Sequence, residues 1–129
     1  RRAFTINIPS TKHVKETDYV GIASGRDGDK FSAAKLTPVK SDVVDAPYVN
    51  EFPLVLECKL LHTIEIGLHT QFIGEIVDVK ADDNVLDNES PNIEKVKPFL
   101  YVPEVRSYYA VGHNLGKAHS LGRELQTTR

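Results

Sequence analysis

The stretch FPLVLECKLLHTIEIGLHTQFIGEIVDVK, residues 52–80, decides the fold. Along its first half Phe52, Leu54, Leu56, Cys58, Leu60, His62, Ile64 and Ile66 fall on one face, while Glu57, Lys59, Thr63 and Glu65 mark the other. That is the period-two pattern of a strand with one face turned to a core. Gly67-Leu68 is the expected turn, and the return strand puts Ile73, Val77 and Val79 on one face with Glu75 interrupting. The pattern is a long hairpin of the kind that builds barrels, and strands of this length need a closed or covered sheet. The fold class expected is mostly β, a β-barrel with small helices in its connections.

Upstream of the hairpin, Phe4, Ile6 and Ile8 alternate with Thr5 and Asn7 as a half-buried strand, which Pro9-Ser10 closes because proline cannot extend a ladder. Residues 11–24 hold two short helical pieces, the second capped by Thr17 and stopped at Gly25. Asp29 caps a further short helix through Lys30-Phe31-Ser32-Ala33-Ala34. Residues 37–50, with Pro38 and Pro47, read as extended and irregular. Downstream, residues 81–92 are acidic and turn-rich and read as an exposed excursion. Ile93-Glu94-Lys95-Val96 makes a helical turn before Pro98, and Phe99-Leu100-Tyr101 and Ser107-Tyr108-Tyr109-Ala110-Val111-Gly112 are two more strands. Leu115 to Arg129 is a tail with Gly116 and Gly122. No internal repeat interrupts the reading, so one domain spanning 1–129 is expected.

Composition limits the function classes. The chain has 129 residues, 40% of them apolar, with 16 Lys and Arg against 18 Asp and Glu for a net charge of −2. A balance so near neutral gives no electrostatic footprint for nucleic acid or an anionic membrane, and no apolar run approaches the ~20 residues of a membrane span. Neither partner is expected, and the location read is cytoplasmic. Cys58 is the single cysteine. A paired thiol motif is therefore excluded, redox chemistry must come from a cofactor, and the phase of Cys58 with Leu54, Leu56 and Leu60 makes it a buried, inert thiol. Arg1-Arg2-Ala3 runs straight into the first strand and the chain contains no Met, so its start reads as cut.

The polar constellations are few. His13, His62, His69, His113 and His119 form neither an H-E-x-x-H pattern nor a close pair with the cysteine, so no metal site is expected. His62 reads as a hydrogen-bonded core imidazole and His69 as an exposed residue beside the turn; Glu75, if buried, needs a partner or a cavity. The loop Gly25-Arg26-Asp27-Gly28-Asp29-Lys30 combines two glycines with two cations, a composition suited to approaching an anionic or electron-rich ring, though a surface turn has the same composition. It matches neither the P-loop nor G-x-G-x-x-G, and no Ser or Cys stands in a nucleophile motif, so no catalytic residue is assigned.

Over nearly its whole length the chain resembles the flavoredoxin branch of the flavin reductase-like FMN-binding proteins. The motifs that carry the resemblance are Phe4-Thr5-Ile6-Asn7-Ile8-Pro9-Ser10, Asp18-Tyr19-Val20-Gly21, Ser24-Gly25 followed by Asp29-Lys30-Phe31, Leu36-Thr37-Pro38, Asp45-Ala46-Pro47-Tyr48 and Phe52-Pro53-Leu54-Val55-Leu56-Glu57-Cys58. They continue in Glu65-Ile66-Gly67-Leu68-His69-Thr70, Phe72-Ile73-Gly74-Glu75, Arg106-Ser107-Tyr108-Tyr109 and Leu115-Gly116-Lys117-Ala118. The resemblance implies a Greek-key split barrel that forms a homodimer with FMN at the subunit interface. It also implies that family strands preceding the position of Arg1 are lacking here, so that this chain is the larger, C-terminal part of the domain and holds FMN less tightly without them.

Carried over residue by residue, the resemblance nominates Ser24, Gly25, Lys30 and Phe31 as cofactor-binding, with Lys30 foremost, then His69 and Tyr101, and Tyr108 more weakly. A cation at the pyrimidine end of the ring favours the anionic reduced ring and raises the potential; a cation at the phosphate contributes affinity. The implied function is an FMN-binding redox protein passing electrons between a reduced donor and an acceptor. Two alternatives stay open: an NAD(P)H:flavin oxidoreductase using flavin as substrate, and a flavin-binding barrel without turnover.

Overall fold

The computed structural model describes residues 2–24, 26 and 28–126. At its centre lies the hairpin read from residues 52–80: strand β4 (Leu54–Ile66) returns through a turn at Gly67, whose φ of 57° suits glycine, into β5 (His69–Ala81). Strand β1 (Ala3–Ile8) adds to the free edge of β4, antiparallel, giving a sheet in the order β1-β4-β5. Two register shifts bend the hairpin, one between Glu57 and Cys58 and one between Leu60 and His62. Bulges of this kind locally tighten the twist and curl a sheet. From residue 61 onward both faces of β4 are exposed, so His62 does not form the core imidazole expected of it.

A short 3-10 turn (Thr11–His13) runs into helix α1 (Val14–Ile22). The helix is continuous through Thr17, whose hydroxyl donates to the His13 carbonyl, so Thr17 is an interior residue and not the cap of a second piece. The expected stop at Gly25 lies outside the described residues. Helix α2 (Lys30–Ala34) starts where the sequence places it, with the Asp29 carboxylate accepting from the Phe31 amide at 3.0 Å. Residues 37–50 are more regular than expected: β2 (Pro38–Lys40) and β3 (Pro47–Val49) pair antiparallel. Their long-range anchors explain this, since Pro47 O accepts from the Thr5 hydroxyl and the Val49 amide donates to Asn7 Oδ1.

Beyond β5, residues 81–92 fold back as a 3-10 turn and a two-residue hairpin, β6 (Leu86–Asp87) with β7 (Ser90–Pro91). This is not a wholly exposed excursion, because Val85 is buried. Helix α3 (Ile93–Val96), capped by Asn92, buries Val96 completely. Strands β8 (Phe99–Val102) and β9 (Ser107–Ala110) make a separate two-stranded sheet.

The core sits at the base of the long hairpin. Ala34, Leu36 and Phe52 are buried together, with Tyr19, Val20, Phe31 and Val49 packed against them. Val55 and Cys58 are buried beside it. Burial pushes the Cys58 thiol above its ordinary pKa, as an inert interior cysteine requires. Towards its tip the hairpin leaves the core, and Ile64, Ile66 and Phe72 are exposed, as is Ile76 lower on β5. No described helix is long and apolar enough to cross a membrane.

One residue reverses its sequence reading completely. Glu57, expected on the outer face, is fully buried, because the loop after β2 folds over that face. Its Oε1 accepts from Lys80 Nζ at 3.0 Å and its Oε2 from the Ser41 hydroxyl. Ser41 Oγ also accepts from the Val43 and Val44 amides, so the loop is tied to the carboxylate beneath it.

Candidate functional site

A cavity of about 340 Å³ opens between β1, α1, α2 and β3. Pro9, Val20, Phe31, Leu36, Val49 and Phe52 give it a largely apolar wall, and Asn7, Thr17 and Lys30 supply its polar groups. The local folding that brings Lys30 here is simple. Asp29 fixes the first turn of α2, which sets the direction in which Lys30 leaves the backbone, and Phe31 packs into the core behind it.

Lys30 Nζ donates to the Val20 carbonyl at 2.9 Å. That carbonyl belongs to the last turn of α1, where backbone acceptors lack intrahelical partners and the helix dipole favours a cation. The contact fixes the position of the ammonium without neutralising it. Among the described residues Lys30 meets this carbonyl and no carboxylate, so its charge and remaining N–H donors face the cavity. Asn7, opposite, is held on both sides: its amide donates to Thr5 Oγ1 at 3.0 Å and its Oδ1 accepts from the Val49 amide. Phe52, which lines the pocket, also meets the His13 ring at a tilt of 48°, with centroids 5.6 Å apart.

The other nominated residues lie as follows. Ser24 Oγ accepts from the Arg26 amide at 3.1 Å, at the start of the loop leading to Lys30. Gly25 lies outside the described residues. Tyr101 is on β8, 55% exposed, directly opposite Tyr108 on β9 with ring centroids 5.3 Å apart. Phe99 meets the Tyr108 ring edge-on at 5.6 Å. The Tyr108 hydroxyl donates to Asp18 Oδ1 on α1 at 2.8 Å, and that bond holds the phenol above its ordinary pKa. His69 is exposed at the tip of the long hairpin, paired with Ile66. Since β4 has 13 residues, it is about 40 Å long at ~3.3 Å per residue. His69 is therefore far along the strand from the Lys30 cavity, whose Phe52 and Val49 lie at the hairpin's base.

Lys30 and Phe31 are thus brought together in one pocket; Tyr101 does not line it and connects to α1 through the Tyr108 bond to Asp18. The sequence reading did not single out Asn7, which alternates with Thr5 on the polar positions of β1. The Val20 carbonyl gave no signal, because a backbone group leaves no trace in residue identity.

The flavin reductase like domain model matches residues 1–111. Among solved structures, the flavoredoxin of Desulfovibrio vulgaris (Miyazaki F) is 54% identical with a TM-score of 0.88, covering 95% of this chain and 66% of that one. A flavoredoxin from Methanosarcina acetivorans is 32% identical with a TM-score of 0.87, covering 95% of this chain and 64% of that one. A protein with a split barrel domain from Shewanella frigidimarina NCIMB 400 is 26% identical with a TM-score of 0.71, covering 88% of this chain and 58% of that one. The chain spans about half the length of the curated relatives it matches.

Proposed function

This chain belongs to the flavin reductase-like, flavoredoxin-type family of split barrels, and from that premise we propose that it is an FMN-binding redox protein passing electrons between a reduced donor and an acceptor. The observation that carries the reading is the Lys30 ammonium, fixed by the Val20 carbonyl at an apolar cavity and meeting no carboxylate among the described residues. Such a pocket fits a planar aromatic group with an electron-rich edge or an attached anion. Apolar walls favour the ring, and one positioned cation in a low-dielectric setting favours negative charge.

When bound, the isoalloxazine ring supplies the redox chemistry, and the protein supplies binding, orientation and electrostatics. Lys30 would hold an anionic edge or the phosphate, Phe31 and Phe52 exclude water, and Asn7 orients by hydrogen bonding. Ser24, with Gly25, shapes the loop. Tyr101 presents an exposed aromatic face suited to covering a ring. His69, at the far end of the hairpin, reaches a flavin only from a neighbouring subunit. The reading therefore includes a homodimer with FMN between subunits, in which the exposed Ile64, Ile66, Phe72 and Ile76 are covered by the second copy.

Titration of the full-length protein with FMN, followed by fluorescence quenching and by sedimentation, tests this. A yellow, saturable, dimeric complex is expected. A protein that stays colourless at saturating FMN contradicts the reading. Addition of NADH or NADPH without air then separates the carrier, whose flavin spectrum persists, from a reductase, whose flavin bleaches.

A further inference from the structure

Among the described residues, the hairpin β8–β9 has no backbone pairing to the main sheet. An isolated two-stranded hairpin is marginal in water, so its placement depends on side chains. Among the described residues of β8 and β9, one side-chain hydrogen bond reaches another element, from the Tyr108 hydroxyl to Asp18 Oδ1, 90 residues away in sequence. The acceptor is a carboxylate, which makes this a charge-assisted bond, stronger than a neutral one.

Asp18 and Val20 lie two positions apart on α1. The helix thus carries both anchors: the Val20 carbonyl that fixes Lys30 and the carboxylate that fixes Tyr108. Tyr108 in turn packs on Tyr101 and Phe99 through its ring. We propose that Asp18 is a positioning residue, which latches the β8–β9 hairpin to α1 through Tyr108 and so sets Tyr101 relative to Lys30 in the flavin site. This rests on the flavin-binding function proposed above. It adds that Tyr101 and Lys30 are both anchored to α1, so that loosening the hairpin weakens flavin binding although neither Asp18 nor Tyr108 lines the Lys30 cavity.

The test uses the full-length protein in four forms: wild type, Asp18→Ala, Asp18→Asn and Tyr108→Phe. Amide hydrogen exchange over residues 99–110 without flavin reads the latch itself, and FMN titration reads its consequence. Asp18→Ala and Tyr108→Phe should lose protection in β8–β9 and bind FMN roughly ten-fold more weakly, the scale of one charge-assisted hydrogen bond. Asp18→Asn, which keeps an acceptor oxygen, should recover part of both. A merely structural role would not give this parallel rescue. Wild-type FMN affinity in Asp18→Ala, with protection lost, overturns the coupling and leaves the flavin reading standing; undiminished protection in both Asp18→Ala and Tyr108→Phe overturns the latch. Failure of wild type to bind FMN overturns the reading on which the proposal rests.

Discussion

Lys30 and Lys80 are both lysines tied down by hydrogen bonds near the base of the long hairpin, yet their surroundings are opposite in charge. Lys80 sits between two carboxylates, Glu57 at 3.0 Å and Asp42 at 3.1 Å, and its charge is spent within the protein. Lys30 is held by a neutral carbonyl and, among the described residues, meets no carboxylate. A cation meant for a ligand needs a fixed position without a counter-ion; a cation meant for the fold needs the counter-ion. The difference lies in what long-range folding brings to each ammonium, not in the lysines themselves.

The largest effect expected from breaking this comparison is on stability. Lys80→Met keeps the aliphatic stem but leaves the buried Glu57 carboxylate with only Ser41, and removing one partner of a buried ion pair costs about 3–5 kcal/mol. The low end, about 3 kcal/mol, is expected because the Lys80 side chain is 31% exposed and Ser41 still donates. Denaturant unfolding measures it. The Asp42 arm of the pair is solvent-exposed and adds little.

The same pair sets an alkaline pH dependence. Hydrogen bonds from Lys80 to Glu57 and then to Asp42 raise the lysine pKa above its ordinary 10.5. A lysine raised in the folded state binds its proton more tightly there than when unfolded. Its stabilisation is therefore complete below 10.5 and fades as pH climbs through the folded value. The stability gap between wild type and Lys80→Met should be constant at neutral pH and narrow above pH 10.5, as followed by unfolding at successive pH values.

A smaller effect is expected at Gly74. A Cβ built there would stand 2.6 Å from the Phe4 ring and 3.1 Å from the Lys59 carbonyl, so β1 and β5 meet across β4 at this point. Gly74→Ala should destabilise by about 1–3 kcal/mol, the usual range for overpacking, measurable as a lowered Tm. Smallest of all, the native Cys58 thiol should react with a disulfide reagent only at the rate of unfolding, given its burial and raised pKa.

How much of this was legible depended on how local the cause was. The turn at Gly67, the Asp29 cap of α2, the helical turn at Ile93–Val96 and the burial of Cys58 follow from short patterns, and the structure agrees with each. Glu57 was misplaced because alternation assigns a face without saying what covers it; a loop closed by Ser41, 16 residues upstream, turned that face into an interior. His62 was misplaced because the hairpin has left the core at that point and both of its faces are exposed. Lys30 and Phe31, nominated from the loop and its family resemblance, line one cavity. The Val20 carbonyl, the Asn7 bridge and the Asp18–Tyr108 bond arise from pairings that no local pattern encodes.

The most direct test is FMN titration of wild type, Lys30→Ala and Lys80→Met, with fold and stability checked in parallel. If Lys30 is the cation reserved for the flavin, Lys30→Ala should keep its stability near that of wild type and show either about ten- to a hundred-fold weaker binding or a lowered flavin potential, since one charge-assisted hydrogen bond is worth about 1.5–3 kcal/mol. Lys80→Met, measured where it remains folded, should lose stability while binding FMN as wild type does. A folded Lys30→Ala protein with unchanged affinity and unchanged potential would contradict the account.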